Sequence, residues 1–332
     1  MLAYIARRIL LLIPVIVVVS VVIFAIIQLP PGDYLTTYIE NLRTSGIEVS
    51  ESQVESMKRM YGLDQPEIVQ YYLWMRNMLL HGDFGRSFQW NKPVKTILLE
   101  RIPLTMGVSL ATTLFVFAVS IPIGIYSATH KYSIFDYFFT FMGFFGLSVP
   151  GFLLALVLMW LIYNLTGANV SGLFSIEYAD APWSLGKLLD LLKRIWFPMF
   201  IIGMSSTAGL IRVMRGNLLD ELQKQYVVTA RAKGLSERRL LLRYPVRIAV
   251  NPIISTIGWI LPSIVGGEVL VSIVLNLQTT GPVLLQAVRF QDMYLAGSIT
   301  LILSILTIIG TLIADVLLVW VDPRIRFGKV EE

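Results

Sequence analysis

The 332-residue chain contains no cysteine and only two histidines. The first absence excludes disulfides and thiolate metal sites. The histidines, His81 and His130, fall on opposite sides of the topology derived below, so they form no paired site. Charge is also scarce. Charged residues make up 15% of the chain and hydrophobic ones 55%, whereas an average soluble domain is about 25% charged. No GxxxxGK[ST] phosphate loop is present, nor any other nucleotide-binding pattern or clustered catalytic set. ATP hydrolysis by this chain, enzymatic chemistry and a nucleic-acid partner therefore have no basis in the residues. No repeat relates the two halves.

The sequence does contain long apolar runs. Ile9 to Leu29 is uncharged over 21 residues, and Gln28-Leu29-Pro30-Pro31 offers no small-residue cleavage site, so a retained helix is expected. Further runs cover Pro103–Thr129, Phe138–Tyr163, Ile195–Ile211, Ala249–Leu277 (broken by Glu268) and Met293–Trp320 (broken by Asp315). A spanning helix needs about 20 residues. Lipid offers the backbone no hydrogen-bond partner, so such runs must be helices or closed barrels, and they lack the alternation of barrel strands. The expectation is an all-α polytopic membrane protein of about six spans. The segments on the side of both termini hold 15 Lys and Arg against 7 Asp and Glu. By the positive-inside rule both termini are cytoplasmic.

Two polar stretches interrupt the runs. After a first helix at 1–30, residues 31–101 read as an extracytoplasmic helical insertion. Ser50 with Gln53 forms a capping box before Val54, Met57 and Tyr61; Gly62 stops that helix, and Asp64 with Glu67 opens another carrying Ile68, Val69, Tyr72, Leu73 and Leu79. The remainder, 102–332, is a core of five further spans. Within it Asn164–Arg194 shows no clear pattern, whereas Arg212–Arg247 carries 9 basic and 3 acidic residues. There Asn217–Lys233 has helical spacing, Gly234 is a stop, Ser236 caps a second helix, and Pro245 and Pro252 follow. A helix-turn-helix is expected at about 217–247.

Tyr226 to Ser236, with Thr229-Ala230-Arg231-Ala232-Lys233-Gly234 at its centre, resembles the cytoplasmic signature of permease subunits of ATP-binding-cassette importers, in the dipeptide, oligopeptide and nickel branch. Other stretches resemble that branch too: Gly62-Leu63-Asp64-Gln65-Pro66 with Gln70-Tyr71 and Trp74, Gly82-Asp83-Phe84-Gly85 with Ser87, the tail Asp322-Pro323-Arg324-Ile325-Arg326, and Tyr4, Arg7 and Arg8. The signature's glutamate position is Val228 here, its first alanine is Thr229, and its Ile-x-Leu-Pro falls unmatched on Tyr244–Arg247. Ser272 and Leu277–Gly281 replace an acidic residue and a Trp-Pro-Gly common in the peptide branch.

The resemblance implies a subunit of the prokaryotic inner membrane. Its expected partners are a second, similar permease, two cytoplasmic ATPases that bind ATP and magnesium, an external solute-binding protein, and membrane lipid. This chain would bind no cofactor. The segment Thr229 to Leu240 would dock in an ATPase cleft. Small Ala230, Ala232 and Gly234 would allow close approach, and Arg231, Lys233, Arg238 and Arg239 would meet acidic groups, with Leu235 and Ser236 in the turn. A basic juxtamembrane run also suits anionic lipid. Glu268 with Gly266 and Gly267, and the Pro150-Gly151 pair, are candidates for the translocation path. An ionisable group in a membrane faces a cavity or a partner, and proline with glycine kinks a helix. Short peptides are the expected solute and oligosaccharides the alternative. A stand-alone secondary transporter predicts inverted halves and more midplane charge; neither is present.

Overall fold

The computed structural model describes residues 2–28, 55, 56, 59, 64–87, 89–257 and 269–321. Among these the structure is helical, with one isolated antiparallel bridge between Arg86 and Pro93. The described helices are α1 (Leu2–Gln28), α2 (Glu67–His81), α3 (Val94–Thr129), α4 (Ile134–Ser148), α5 (Gly151–Thr166), α6 (Leu185–Arg194) and α7 (Trp196–Leu222). They continue with α8 (Gln225–Ala232), α9 (Glu237–Arg243), α10 (Pro245–Ala249), α11 (Asn251–Ser255), α12 (Val269–Val274), α13 (Thr280–Arg289) and α14 (Met293–Val321).

Three helices, α3, α7 and α14, are long and apolar enough to cross a membrane, and α1 carries a shorter apolar stretch, Leu10–Ile26. The expected run Phe138–Tyr163 is two helices, α4 and α5, bent by 106° at their break; as one broken span they make a fourth. The break has a local cause. A residue before proline is pushed out of the helical region, and Val149 accordingly adopts φ −91, ψ 122 ahead of Pro150. Six continuous spans are therefore not found among the described residues. The expected fifth run, from Ala249, is entered through the five-residue helices α10 and α11, each with a proline in its first turn. Expected bounds also move. α3 starts at Val94, ahead of Pro103, and its 36 residues reach about 54 Å at 1.5 Å per residue, beyond the roughly 30 Å of a bilayer's hydrocarbon core. α7 carries on past Ile211 to Leu222, so Asn217 lies inside a long helix instead of opening the helix-turn-helix.

The chain forms two compact units, with boundaries inside α3 and α14. Residues 1–104 and 279–306 form the first. Here Phe24 of α1 stacks on Trp74 of α2 at 6.1 Å and meets Tyr71 edge-on at 5.4 Å. The Ser20 and Tyr71 hydroxyls bond at 2.7 Å. The packed side of α2 is Tyr71, Trp74, Met75 and Met78; Ile68, Tyr72 and Leu79 are exposed. The first turns of α3 (Val94, Ile97, Leu98) pack on Val283 and Ala287 of α13 and Leu295, Ala296 and Ile299 of α14. Asp292, fully buried, caps α14 by accepting from Leu295 N at 3.2 Å, and also accepts from Ser87 Oγ and Gln89 N. That anchors the loop containing Gly82-Asp83-Phe84-Gly85.

Residues 105–278 and 307–332 form the second unit. Its core joins Val116 and Ala128 of α3, Leu210, Met214 and Leu218 of α7, Ala249 of α10 and Ile253 of α11. α3 meets α7 closely at Gly124, where an added Cβ would lie 2.5 Å from the Met214 Cβ. Small residues at helix crossings are how membrane helices gain packing contacts, since lipid supplies no hydrophobic drive between them.

Candidate functional site: the polar helix pair after α7

α8 and α9 follow the end of α7. Gln223 and Lys224 break the helix, and Lys224 takes an extended conformation (φ −71, ψ 146) ahead of α8. The chain reverses at Gly234, whose φ of +77 lies in a region that costs other residues roughly 1–2 kcal/mol. Its amide donates to Arg231 O at 3.0 Å. Ser236 holds the N-cap position of α9 in an extended conformation, without a side-chain cap bond. The two helices share a small core of Val227, Ala230 and Leu240, flanked by Tyr226, Leu235 and Tyr244.

The expected docking residues divide accordingly. Thr229, Arg231, Ala232, Lys233, Gly234, Ser236, Arg238 and Arg239 are exposed on one continuous stretch, and Leu235 is half-buried. Ala230 is buried. It packs helix against helix and offers no outward surface. Arg231 already has an acidic partner within the chain. Its Nε and Nη2 donate to the Glu237 carboxylate at 2.6 and 3.1 Å, bridging the turn. The donated hydrogen bond, helped by the guanidinium charge, holds the Glu237 carboxyl below its ordinary range and raises Arg231 in return. Among the described residues Lys233, Arg238 and Arg239 form no ion pair. Of the expected docking cations, those three therefore face outward without an ion pair.

The pair is tied into the second unit. Leu241 of α9 and Val246 of α10 pack against the cluster around Met214 and Leu218 of α7. Asn217 Nδ2 of α7 donates to Ala249 O at 3.5 Å. A further link is invisible in sequence spacing. Arg215 of α7 donates from Nε and Nη2 to both oxygens of Asp136 at 3.0 and 2.9 Å. The Asp136 side chain is 3% exposed, and it also accepts from Tyr132 N at 3.0 Å. Ser133 Oγ accepts from Asp136 N at 3.1 Å, capping α4. Arg212 lies over the Phe144 ring at 4.8 Å. The start of α4 is therefore clamped to α7 about two turns before the polar pair begins.

Of the candidates for a translocation path, Pro150 and Gly151 sit at the α4–α5 break. A Cβ on Gly151 would lie 3.2 Å from Val271 Cγ2 of α12. Gly266, Gly267 and Glu268 lie outside the described residues, as do the expected capping box at Ser50 and the stop at Gly62.

Comparison with known proteins places these features in a family. Residues 120–327 match the binding-protein-dependent transport system inner membrane component, and residues 1–111 match the N-terminal part of such membrane components. The chain is 34% identical over 328 residues to the oligopeptide transport system permease protein AppB of Bacillus subtilis, covering 98% of this chain and 100% of the relative. It is 30% identical over 327 residues to a putative peptide transport system permease protein of Brucella abortus (strain 2308), covering 98% and 100%. It is 27% identical over 341 residues to the dipeptide transport system permease protein DppB of Alkalihalophilus pseudofirmus, again covering 98% and 100%. This chain belongs to the family of inner membrane components of binding-protein-dependent transport systems.

Proposed function

We propose that this subunit forms half of a pore importing short peptides, driven by separate ATPase subunits that dock on the α8–α9 pair from the cytoplasm. The second half would come from a similar permease, and an external solute-binding protein would deliver the cargo. ATP and magnesium would be held by the ATPases. Both termini would be cytoplasmic, in keeping with the basic bias of Arg212–Arg247.

The observation that carries this reading is the α8–Gly234–α9 pair. It is a rigid handle with its own core, an exposed face matching the Thr229–Gly234 signature, and the outward cations Lys233, Arg238 and Arg239 without an ion pair among the described residues. A displacement of the pair would reach α7 and α10 through the Leu241–Val246 packing. It would reach α4 through Asp136–Arg215. The α4–α5 break would then be the point where a rotation of α4 changes direction. Peptide cargo is supported by what the relatives' names say they carry.

The test is substitution at Gly234. Gly234→Val imposes a β-branched side chain at positive φ, and loss of ATPase co-purification with normal membrane insertion is expected. Gly234→Asn tolerates that backbone and should assemble. Assembly and uptake unchanged in Gly234→Val would refute docking here. The cargo is tested separately by screening the partner solute-binding protein with peptides and oligosaccharides; binding of oligosaccharides alone would overturn the peptide assignment.

A further inference from the structure

α6, in the 167–195 connection ahead of α7, is amphipathic in the wrong sense for a loop in water. Ser184 caps it, accepting from Lys187 N at 3.2 Å. Its polar side faces the protein. Lys187 is 7% exposed; its Nζ donates to Ala181 O at 2.6 Å and Ala179 O at 3.4 Å and lies 4.7 Å from the Phe174 ring centroid. Asp190 accepts from Ser175 N at 2.6 Å. Its apolar side faces out: Leu185, Leu188, Leu189 and Leu192 are 74, 42, 49 and 58% exposed. Those positions recur at three and four residues and so form one stripe.

A helix that buries an ammonium and turns a carboxylate inward to a backbone amide while presenting four leucines has adapted to a medium less polar than the loop behind it. That medium is indicated by what the stripe joins. Ile195 is helical (φ −63, ψ −22) and carries α6 directly into α7, a helix long and apolar enough to cross a membrane. Trp183 and Trp196 flank the leucines and are 60 and 47% exposed, as tryptophans are at a membrane boundary. Exposed Lys193 falls in the last turn, where a cation suits an anionic headgroup layer; Arg194 beside it is held inward by Asp190 at 3.6 Å and Asn169 O at 3.4 Å.

We infer that α6 is an interfacial anchor: it lies on the bilayer surface at the Trp196 end of α7, leucines in the acyl boundary, and hangs the 171–184 loop on its inward polar side. The lipid contact is direct and does not require a partner protein over the stripe. This placement matches the behaviour of amphipathic helices that sit in the headgroup boundary.

The chain's lack of cysteine makes the test direct. Leu188→Cys, Leu189→Cys and, as a water reference, Asn169→Cys would be spin-labelled in the assembled transporter in phosphatidylethanolamine–phosphatidylglycerol liposomes. Collision rates with oxygen and with a water-soluble nickel chelate would then be compared. The expected result is high oxygen and low chelate accessibility at 188 and 189, and the reverse at 169. High chelate accessibility at 188 and 189 would place the stripe in water and overturn the inference. Low accessibility to both reagents would place it under protein, which overturns it equally.

Discussion

Two short helical elements flank α7, and they are built inside out with respect to each other. At the Leu222 end, α8 and α9 hide Val227, Ala230 and Leu240 and show Thr229, Lys233, Arg238 and Arg239. At the Trp196 end, α6 hides Lys187 and Asp190 and shows four leucines. Both are stable local designs, because each satisfies its buried groups. The first satisfies apolar burial in the ordinary way. The second gives its buried ammonium carbonyls and an aromatic face. The difference teaches that the orientation of an amphipathic helix reports the medium it meets, and that one chain must answer to water, lipid and protein within one helix length.

The largest expected effect tests what fastens the polar end. Asp136→Ala leaves the partly exposed Arg215 guanidinium beside an emptied site, and losing charged hydrogen bonds of this kind costs about 2–3 kcal/mol. Thermal unfolding of the purified subunit should show it. Arg215→Ala should do the same, and the double variant should cost less than the sum of the two. If the costs add, the clamp is not a unit and the link from α7 to α4 fails.

A smaller effect sharpens the contrast between the two lysines. Lys187→Ala removes a satisfied inward ammonium and should destabilise by about 1–2 kcal/mol. Lys233→Ala removes an exposed one and should leave the melting temperature unchanged while reducing ATPase-coupled uptake. Equal thermal costs would erase the distinction between the ends.

The smallest effect concerns the turn pair. Glu237 is held below its usual range by Arg231, so its folded-state contribution is present above the ordinary glutamate pKa of about 4.3. It is lost as pH falls through the depressed folded value. Both groups are exposed and the pair is weak. Hydrogen-exchange protection of the Gly234 and Leu235 amides, corrected for intrinsic rates, should therefore be flat from neutral pH down to about 5 and fall at more acid pH. Glu237→Gln should remove that dependence. Protection that persists at low pH would show the turn held by its core alone.

The polar end was the more legible. Gly234, small neighbours and helical spacing are local signals, and the reversal stands where they place it. The burial of Ala230 is not legible in the spacing, because it depends on what α9 brings against it. The Asp136–Arg215 clamp joins residues 79 apart, and no spacing rule reaches that far. α6 carried a usable signal in Ser184 and the 185, 188, 189, 192 periodicity. It is overlooked when a polar stretch between spans is read as water-facing, since its polar residues then look like the solvent side. The 149–150 break was legible as a distortion from Pro150, but not as a 106° turn, whose size is set by the helices packed on either side.

By itself the sequence determined the helical class, the membrane habitat, the turn at Gly234 and the family signature. Each follows from local chemistry: apolar runs that cannot be solvated by water, prolines that cannot donate, and a backbone angle that glycine tolerates. Tertiary structure alone decided which face of each amphipathic helix is hidden, which charges are spent inside the chain, and where a run of apolar residues bends. Those outcomes depend on partners distant in sequence and on the medium outside, and neither is written in the order of the residues around any one position.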